Sequence, residues 1–405
     1  MKKSRKAMAL GLAMTLALGG IEPGLATINV FAAENGIQAT ADETREEITL
    51  TSDQLNNETL KGMDLTNKII HLDPSITSIA NHTFDNLDLS NSVLDFTGLT
   101  EEIYLNSSYN LKNAVIENTV FNFGDVKKLV FDSDSKTFSN AYINVKTAKK
   151  ALIYGESTKQ LHFSCSNSLE ATLSRCTVHD SNILSSDISE CTVHDSNILS
   201  SDFDNCTVYD SNIKTTSNIK KFKNTNFYNS TTSFNFDEMS GYIDADSCKY
   251  YNTKVVIEGN IIYDRFFKNS VFDDKSSLKT NDNVVINVLA FQNAILPECT
   301  FKPSKIESGA FDNCNTNNIT LDLSVVQTIS NKAIDKKFKN ELIFPDTPIK
   351  LEHNAIVYFL DRYTSDGVIT IPENITLNNR FLEGADLTGI TKVIVKGALY
   401  DVDYS

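Results

Sequence analysis

"CTVHDSNILSSD" occupies residues 176–187, and the same twelve letters return at 191–202. A third copy, altered to "CTVYDSNIK", starts at Cys206. Divided into fives from Ala171, the stretch reads ATLSR, CTVHD, SNILS, SDISE, CTVHD, SNILS, SDFDN, CTVYD, SNIKT. All nine pentads begin with Ala, Cys or Ser, and all nine carry Leu, Val, Ile or Phe in third place. Residues two apart lie on one face of an extended segment, so the first and third positions face an axis together while their neighbours face water. One inward place is small and the other large because a narrow coil must be filled without voids or overlap. Each buried aliphatic side chain contributes roughly 1.5–3 kcal/mol against a backbone ordering cost of ~1–2 kcal/mol per residue. A single turn cannot meet that cost, so turns must stack.

The nine pentads, residues 171–215, closely resemble the pentapeptide-repeat family. The resemblance implies a right-handed, four-sided β-helix with five residues per side and twenty per coil. The sequence also offers a coil of fifteen, the spacing of the twelve-letter repeat itself. A fifteen-residue coil would stack Asp180, Asp195 and Asp210 in one column near the strand spacing. Like charges there repel by roughly 1 kcal/mol in water and by more beside an apolar wall. Twenty per coil places Asp180 beside Ser200 and Arg175 beside Asp195, and keeps apolar columns such as Leu173, Val193, Ile213. The charge argument therefore favours twenty and makes the fifteen-residue unit a duplicated segment out of step with the coil. His179 and His194, with aspartates beside them, are metal-ligand residue types. On a four-sided coil they fall on different sides, so no metal site is assigned.

The C-terminal part repeats at longer intervals. "VLAFQNA" (288–294), "IESGAFDNC" (306–314), "ISNKAID" (329–335), "LEHNAIV" (351–357), "LNNRFLEG" (377–384) and "VKGALYD" (395–401) each set a small or polar residue before a large apolar one. The anchors Phe291, Phe311, Ile334, Ile356, Phe381 and Leu399 lie 20, 23, 22, 25 and 18 residues apart, largely within the leucine-rich repeat range. "ITIPENITLNNRFLEG" (369–384), "LIFPDTPIKLEHNAI" (342–356) and, near the other end, "IIHLDPSITSIANHTFDNL" (69–87, anchor Phe84) resemble the BspA-like bacterial leucine-rich repeats. "DKKFKNELIFP" departs from that pattern by lacking a clear leading strand. Between these blocks "NSVLDF", "NTVFNF", "NTNFYN", "NSVFDD" and "ECTFKP" repeat one phrase. The expected fold is mainly β: a right-handed parallel β-solenoid of leucine-rich repeat coils with a four-sided pentapeptide-repeat stretch. It is read as continuous over 65–405, with pentapeptide-like repeats at 171–215 and leucine-rich repeats at 284–405. Separate domains joined by linkers are the alternative, although no Pro/Gly/Ser-rich linker stands between the blocks. Residues 33–64 are acidic and read as a leader that caps the first coil.

Residues 1–32 have the form of a secretory signal peptide: basic "MKKSRK", apolar "AMALGLAMTLALGG", then "VFAAE" with small residues at the cleavage positions. Four of the 37 basic and one of the 52 acidic residues lie there, so the remaining chain carries 33 against 51, net −18. Such a charge repels nucleic acid and anionic lipid, and beyond the leader no run reaches the ~18 apolar residues of a membrane span. Neither nucleic-acid binding nor membrane insertion is expected. Basic partners or cations fit the charge, as does plain solubility. The seven cysteines, 165, 176, 191, 206, 248, 299 and 314, are an odd number without a CxxC pair and read as small buried fillers.

Nothing in the chain has the spacing of a phosphate loop, serine elbow or zinc helix. Pairs such as Asp273 and Asp274 are expected by chance in so acidic a sequence. No catalytic, cofactor or metal residue is assigned, and no binding residue is fixed. Tyr209, Tyr228, Tyr250 and Tyr251 are candidate exposed contacts, tyrosine being favoured in recognition surfaces. BspA-like proteins are surface adhesins, so the resemblance implies an extracellular or surface-held interaction scaffold. Its partner would be a protein or glycan ligand on host matrix or other cells. A structural spacer or surface-layer component is the alternative, and a polysaccharide-acting β-helix enzyme the more remote one.

Overall fold

The protein is described from a computed structural model covering residues 45–401, apart from 133–137, 156–159, 169, 184–185, 201, 216–220, 236–243, 335–341, 344–346 and 354. The signal-peptide reading of 1–32, the first part of the acidic segment and most of "DKKFKNELIFP" lie outside the described residues. Arg45–Ser405 forms one compact unit.

The fold is a parallel β-solenoid of about 14 turns. One face can be followed through most of it. Glu46–Leu50 pairs with Lys68–Leu72, which pairs with Val93–Phe96, then Val120–Asp132, Ala141–Tyr154 and Leu161–Ser168. Thr177–His179, Thr192–His194, Thr207–Tyr209, Asn226–Tyr228, Lys249–Tyr251 and Val271–Phe272 continue the stack, all parallel. The stack thus begins at Glu46, ahead of residue 65, and Leu50, Leu55 and Leu60 already belong to the core.

The alternation read from the pentads is realised on Thr177–His179, Thr192–His194, Thr207–Tyr209 and Asn226–Tyr228, each with its middle residue buried. Leu94, Phe121, Ile143, Phe163, Val178, Val193, Val208 and Phe227 form a continuous inward column, each fully buried. Parallel in-register pairing places like side chains one strand spacing apart, and aromatic rings exploit it. Phe227 stacks on Tyr250 at 5.2 Å and Tyr250 on Phe272 at 4.3 Å. Further along, Phe267, Phe291 and Phe311 stack at 5.4 and 5.1 Å. All the buried apolar residues belong to one cluster, so one core runs through the unit.

The coil length in the pentad region corrects the twenty-residue expectation. Ala171 pairs with Ser186, Val178 with Val193, Ile183 with Ile198, and Val193 with Val208: fifteen residues in every case. A turn here has three strands, such as Ser186–Ser189, Thr192–His194 and Asn197–Ser200. The coil therefore has three sides, not four. A buried hydroxyl ladder, serine over serine, holds this register. The Ser181 N–H donates to Ser196 Oγ at 3.1 Å, that of Ser196 to Ser211 Oγ at 3.1 Å, and that of Ser211 to Ser230 Oγ at 3.2 Å. Each hydroxyl then donates to the carbonyl two residues earlier, as Ser196 Oγ does to His194 O at 2.7 Å. A buried N–H left unpaired costs about 1–3 kcal/mol. The aspartate column costs only about 1 kcal/mol per pair in water, because Asp180, Asp195 and Asp210 are exposed corner residues. Their φ values of 46–47° are left-handed, a conformation that Asp and Asn tolerate. Arg175 meets Glu190 at 3.1 Å, not Asp195.

Outside this region the coils are longer. Along the same column the intervals are 22 (Ile48–Ile70), 24 (to Leu94), 27 (to Phe121), 22 (to Ile143) and 20 (to Phe163). After the fifteens they widen to 19 (Val208–Phe227), 23 (to Tyr250) and 22 (to Phe272). In the C-terminal half a second parallel sheet links Ile262, Ile286, Ile306, Ile329, Leu351, Leu377 and Leu399 at 20 to 26 residues per turn. The anchors Phe291, Phe311, Ile334 and Ile356 are buried to 1 % exposure or less, and Phe84 likewise. Leu399 differs, at 55 % exposed, since no described turn packs over it.

Corners between the longer coils are held by asparagines at positive φ. Asn140 donates to Asn118 and Asn118 to Asn91, and Asn313, Asn293 and Asn269 repeat the arrangement. The left-handed corner places each amide over the next, so one geometry serves both backbone and side chain.

Candidate functional site: an outer ladder of rings

The strands that point Val178, Val193, Val208 and Phe227 inward must point their neighbours outward. On the C-terminal side these neighbours are His179, His194, Tyr209 and Tyr228, followed by Tyr251 beside inward Tyr250. His194 stacks on Tyr209 at 4.8 Å with 7° between planes, Tyr209 on Tyr228 at 4.9 Å and 15°, and Tyr228 on Tyr251 at 4.8 Å and 10°. On the preceding turns Tyr142 and His162 stack at 4.5 Å and 8°. His179 joins the two groups, its ring edge-on to His162 at 6.0 Å. Seven consecutive turns thus carry an outward ring on this side, in two columns: Tyr142 and His162 align with Thr177, Thr192 and Thr207, and His179, His194, Tyr209, Tyr228 and Tyr251 form the column beside them.

The rings cover one another's faces and turn their edges to solvent. A parallel outward row, Thr177, Thr192, Thr207, Asn226 and Lys249, occupies the other outward position of the same strands. The exposed corner beyond the rings carries Asp180, Asp195 and Asp210, then Asn229 and Asn252, whose amides are bonded at 2.9 Å. His179 Nδ1 lies 3.2 Å from Asp180 Oδ2.

Packing sets the protonation of several of these groups. Burial, with His179 and His194 nearby, lowers the pKa of His162 to about 4, and its Nε2 has no hydrogen-bond partner. His162 is therefore neutral at neutral pH. Burial, then Tyr251 and Tyr209, raise the Tyr228 phenol. Burial also raises that of Tyr142, whose hydroxyl donates to Asn140 Oδ1 at 3.0 Å. These hydroxyls keep their protons and can donate as well as accept.

Of the four tyrosines singled out from the sequence, Tyr209, Tyr228 and Tyr251 come together on this face. Tyr250 is instead fully buried, with burial pushing its phenol well above the ordinary range. It occupies the inward third place of its repeat unit, the position Phe227 fills one turn earlier. His179 and His194 are also relocated. Expected on different sides, they are register partners on adjacent turns of one side, because the coil has fifteen residues and not twenty. Among the described residues no group of three or more His, Cys, Asp or Glu could hold a metal ion. Asp273 accepts from Asn252 N and Ser276 Oγ and serves its turn, while Asp274 is exposed. Tyr142 and His162 escaped the sequence reading. Both sit one place before an inward Ile or Phe, a signal hidden by the longer coils around them.

All seven cysteines are buried. Cys176 and Cys191 Sγ lie 3.6 Å apart on successive turns, and burial pushes Cys206, Cys248 and Cys299 up to about 12. Such thiols pack as small apolar residues. No helix among the described residues is long and apolar enough to cross a membrane. Comparison with family models, with curated proteins and with solved structures finds no match to this chain.

Proposed function

We propose that this protein is an exported, extracellular or surface-held interaction scaffold whose outer ring ladder is its contact surface. The observation that carries the reading is the stacked column of His194, Tyr209, Tyr228 and Tyr251, which runs beside the threonine row of the same side. A solenoid repeats a contact at every turn, so weak individual contacts sum to a useful affinity. The likeness of the flanking repeats to BspA-like leucine-rich repeats, and of 171–215 to pentapeptide repeats, supports the same class. The leader at 1–32 supports export, and we assign no catalytic residue.

The test is a pull-down with tagged residues 33–405 against matrix and serum components, other cells and the producer's own envelope. Saturable recovery of a foreign ligand is the expected outcome. Recovery of only the protein itself or of the producer's envelope would replace this reading with that of a structural spacer. Turnover of an acidic polysaccharide by the same preparation would replace it with an enzyme.

A further inference from the structure

We infer that the ring ladder binds an uncharged polysaccharide lying along the solenoid axis. This rests on the interaction reading above and names the ligand class. Three features of the face select that class. The first is chemistry. Because the ring faces are taken by neighbouring rings, what remains for a ligand is the His194 ring edge and the phenol hydroxyls of Tyr209, Tyr228 and Tyr251, with a second row of hydroxyls from Thr177, Thr192 and Thr207. Groups that both donate and accept match a polymer whose surface is itself hydroxyls.

The second feature is charge. The corner bordering the rings exposes Asp180, Asp195 and Asp210, and the whole chain is net negative. Three corner aspartates against Lys249 in the neighbouring row disfavour a polyanion along this side.

The third is period. His194, Tyr209, Tyr228 and Tyr251 recur at 4.8–4.9 Å, close to the length of one extended hexopyranose residue, so one sugar can meet each turn. An extended peptide repeats the same face every ~6.6 Å and falls out of step at once. An α-helix advances ~5.4 Å per turn and drifts by about 2 Å over the four rings.

The experiment is native electrophoresis of residues 33–405 through gels carrying hydroxyethyl cellulose, laminarin, glycogen or galactomannan, with alginate as the anionic comparison. The variant is the double substitution Tyr209→Phe, Tyr228→Phe, which removes two hydroxyls and keeps both rings in the stack. Retardation by at least one neutral polymer, weakened about tenfold in the variant with an unchanged melting curve, is the expected result. Retardation that the double variant leaves intact would place binding elsewhere and overturn the inference. So would retardation by alginate alone, or by no polymer at all. If no neutral polymer retards the protein while the pull-down recovers a protein ligand, the interaction reading stands and only the glycan assignment falls.

Discussion

Two residue types govern the pentad region from inside and outside. Inside, the serine at the start of every third pentad closes a ladder in which each hydroxyl accepts from the serine N–H one turn earlier and donates to its own strand. Ser196→Ala leaves the Ser181 N–H buried without a partner. It should lower stability by about 1–3 kcal/mol, read from chemical denaturation. Outside, His162 carries a pH signature. Its pKa in the fold, about 4, lies below the ordinary 6.5, so the unfolded chain binds the extra proton between those values. Its contribution to stability is complete above pH 6.5 and is lost as pH falls to about 4. Allowing for its part exposure, the loss is about 1–2 kcal/mol. His162→Phe keeps a ring against Tyr142 and removes the titration. Denaturation midpoints of the variant should fall less steeply than wild type across that window, and an unchanged slope would contradict the assignment.

At the scale of the strand and its corner, the inside-outside alternation was legible because a period of two needs only the chain itself. Tyr209, Tyr228, Tyr250 and Tyr251 were instead singled out by residue type, and three of the four do face outward. Tyr250 was misplaced because adjacent tyrosines occupy opposite faces and only its register against Phe227 and Phe272 says which is inward. The coil length was misjudged from the aspartate column, whose repulsion is real but screened at an exposed corner. Asp210→Asn keeps a residue tolerant of left-handed φ, removes one repulsive neighbour of Asp195 and adds an amide next to Asn229. The variant should gain about 0.3–1 kcal/mol at ~0.01 M salt, and the gain should shrink toward zero at ~1 M salt. Thermal melts at the two ionic strengths check it. A gain independent of salt would mean the column carries no electrostatic cost. Backbone crowding sets another limit: a Cβ at Gly124 would lie 2.3 Å from Thr97 O on the neighbouring turn. Gly124→Ala should therefore destabilise by more than about 2 kcal/mol.

For the whole molecule, the fifteen-residue turn makes a deletion test decisive. Removing 191–205 joins Glu190 to Cys206 and leaves Val178 over Val208, Ser181 over Ser211 and His179 beside Tyr209. The shortened chain should fold cooperatively with its remaining turns in register, since neighbouring turns in a solenoid interact chiefly with each other. Removing 191–210 instead brings Ser211 to follow Glu190, so one side of a turn is missing and every later strand is displaced by one side. That chain should lose its cooperative transition. Circular dichroism and urea melts of the two deletions separate a fifteen-residue from a twenty-residue coil directly.

The pentads, the spaced anchors and the scarcity of helical periods in the sequence by themselves determined that this is a stacked, mainly β chain with a small-large apolar interior. Those features depend on local alternation and on burial, which nearest neighbours along the chain already encode. The tertiary structure decided how many residues make a turn, and with it which side chains become neighbours. That choice rests on contacts between turns: serine hydroxyls satisfying the backbone amide of the preceding turn, asparagine over asparagine at left-handed corners, ring over ring. No single segment contains both partners of such a contact, so the ladder of His194, Tyr209, Tyr228 and Tyr251 exists only once the turns have closed.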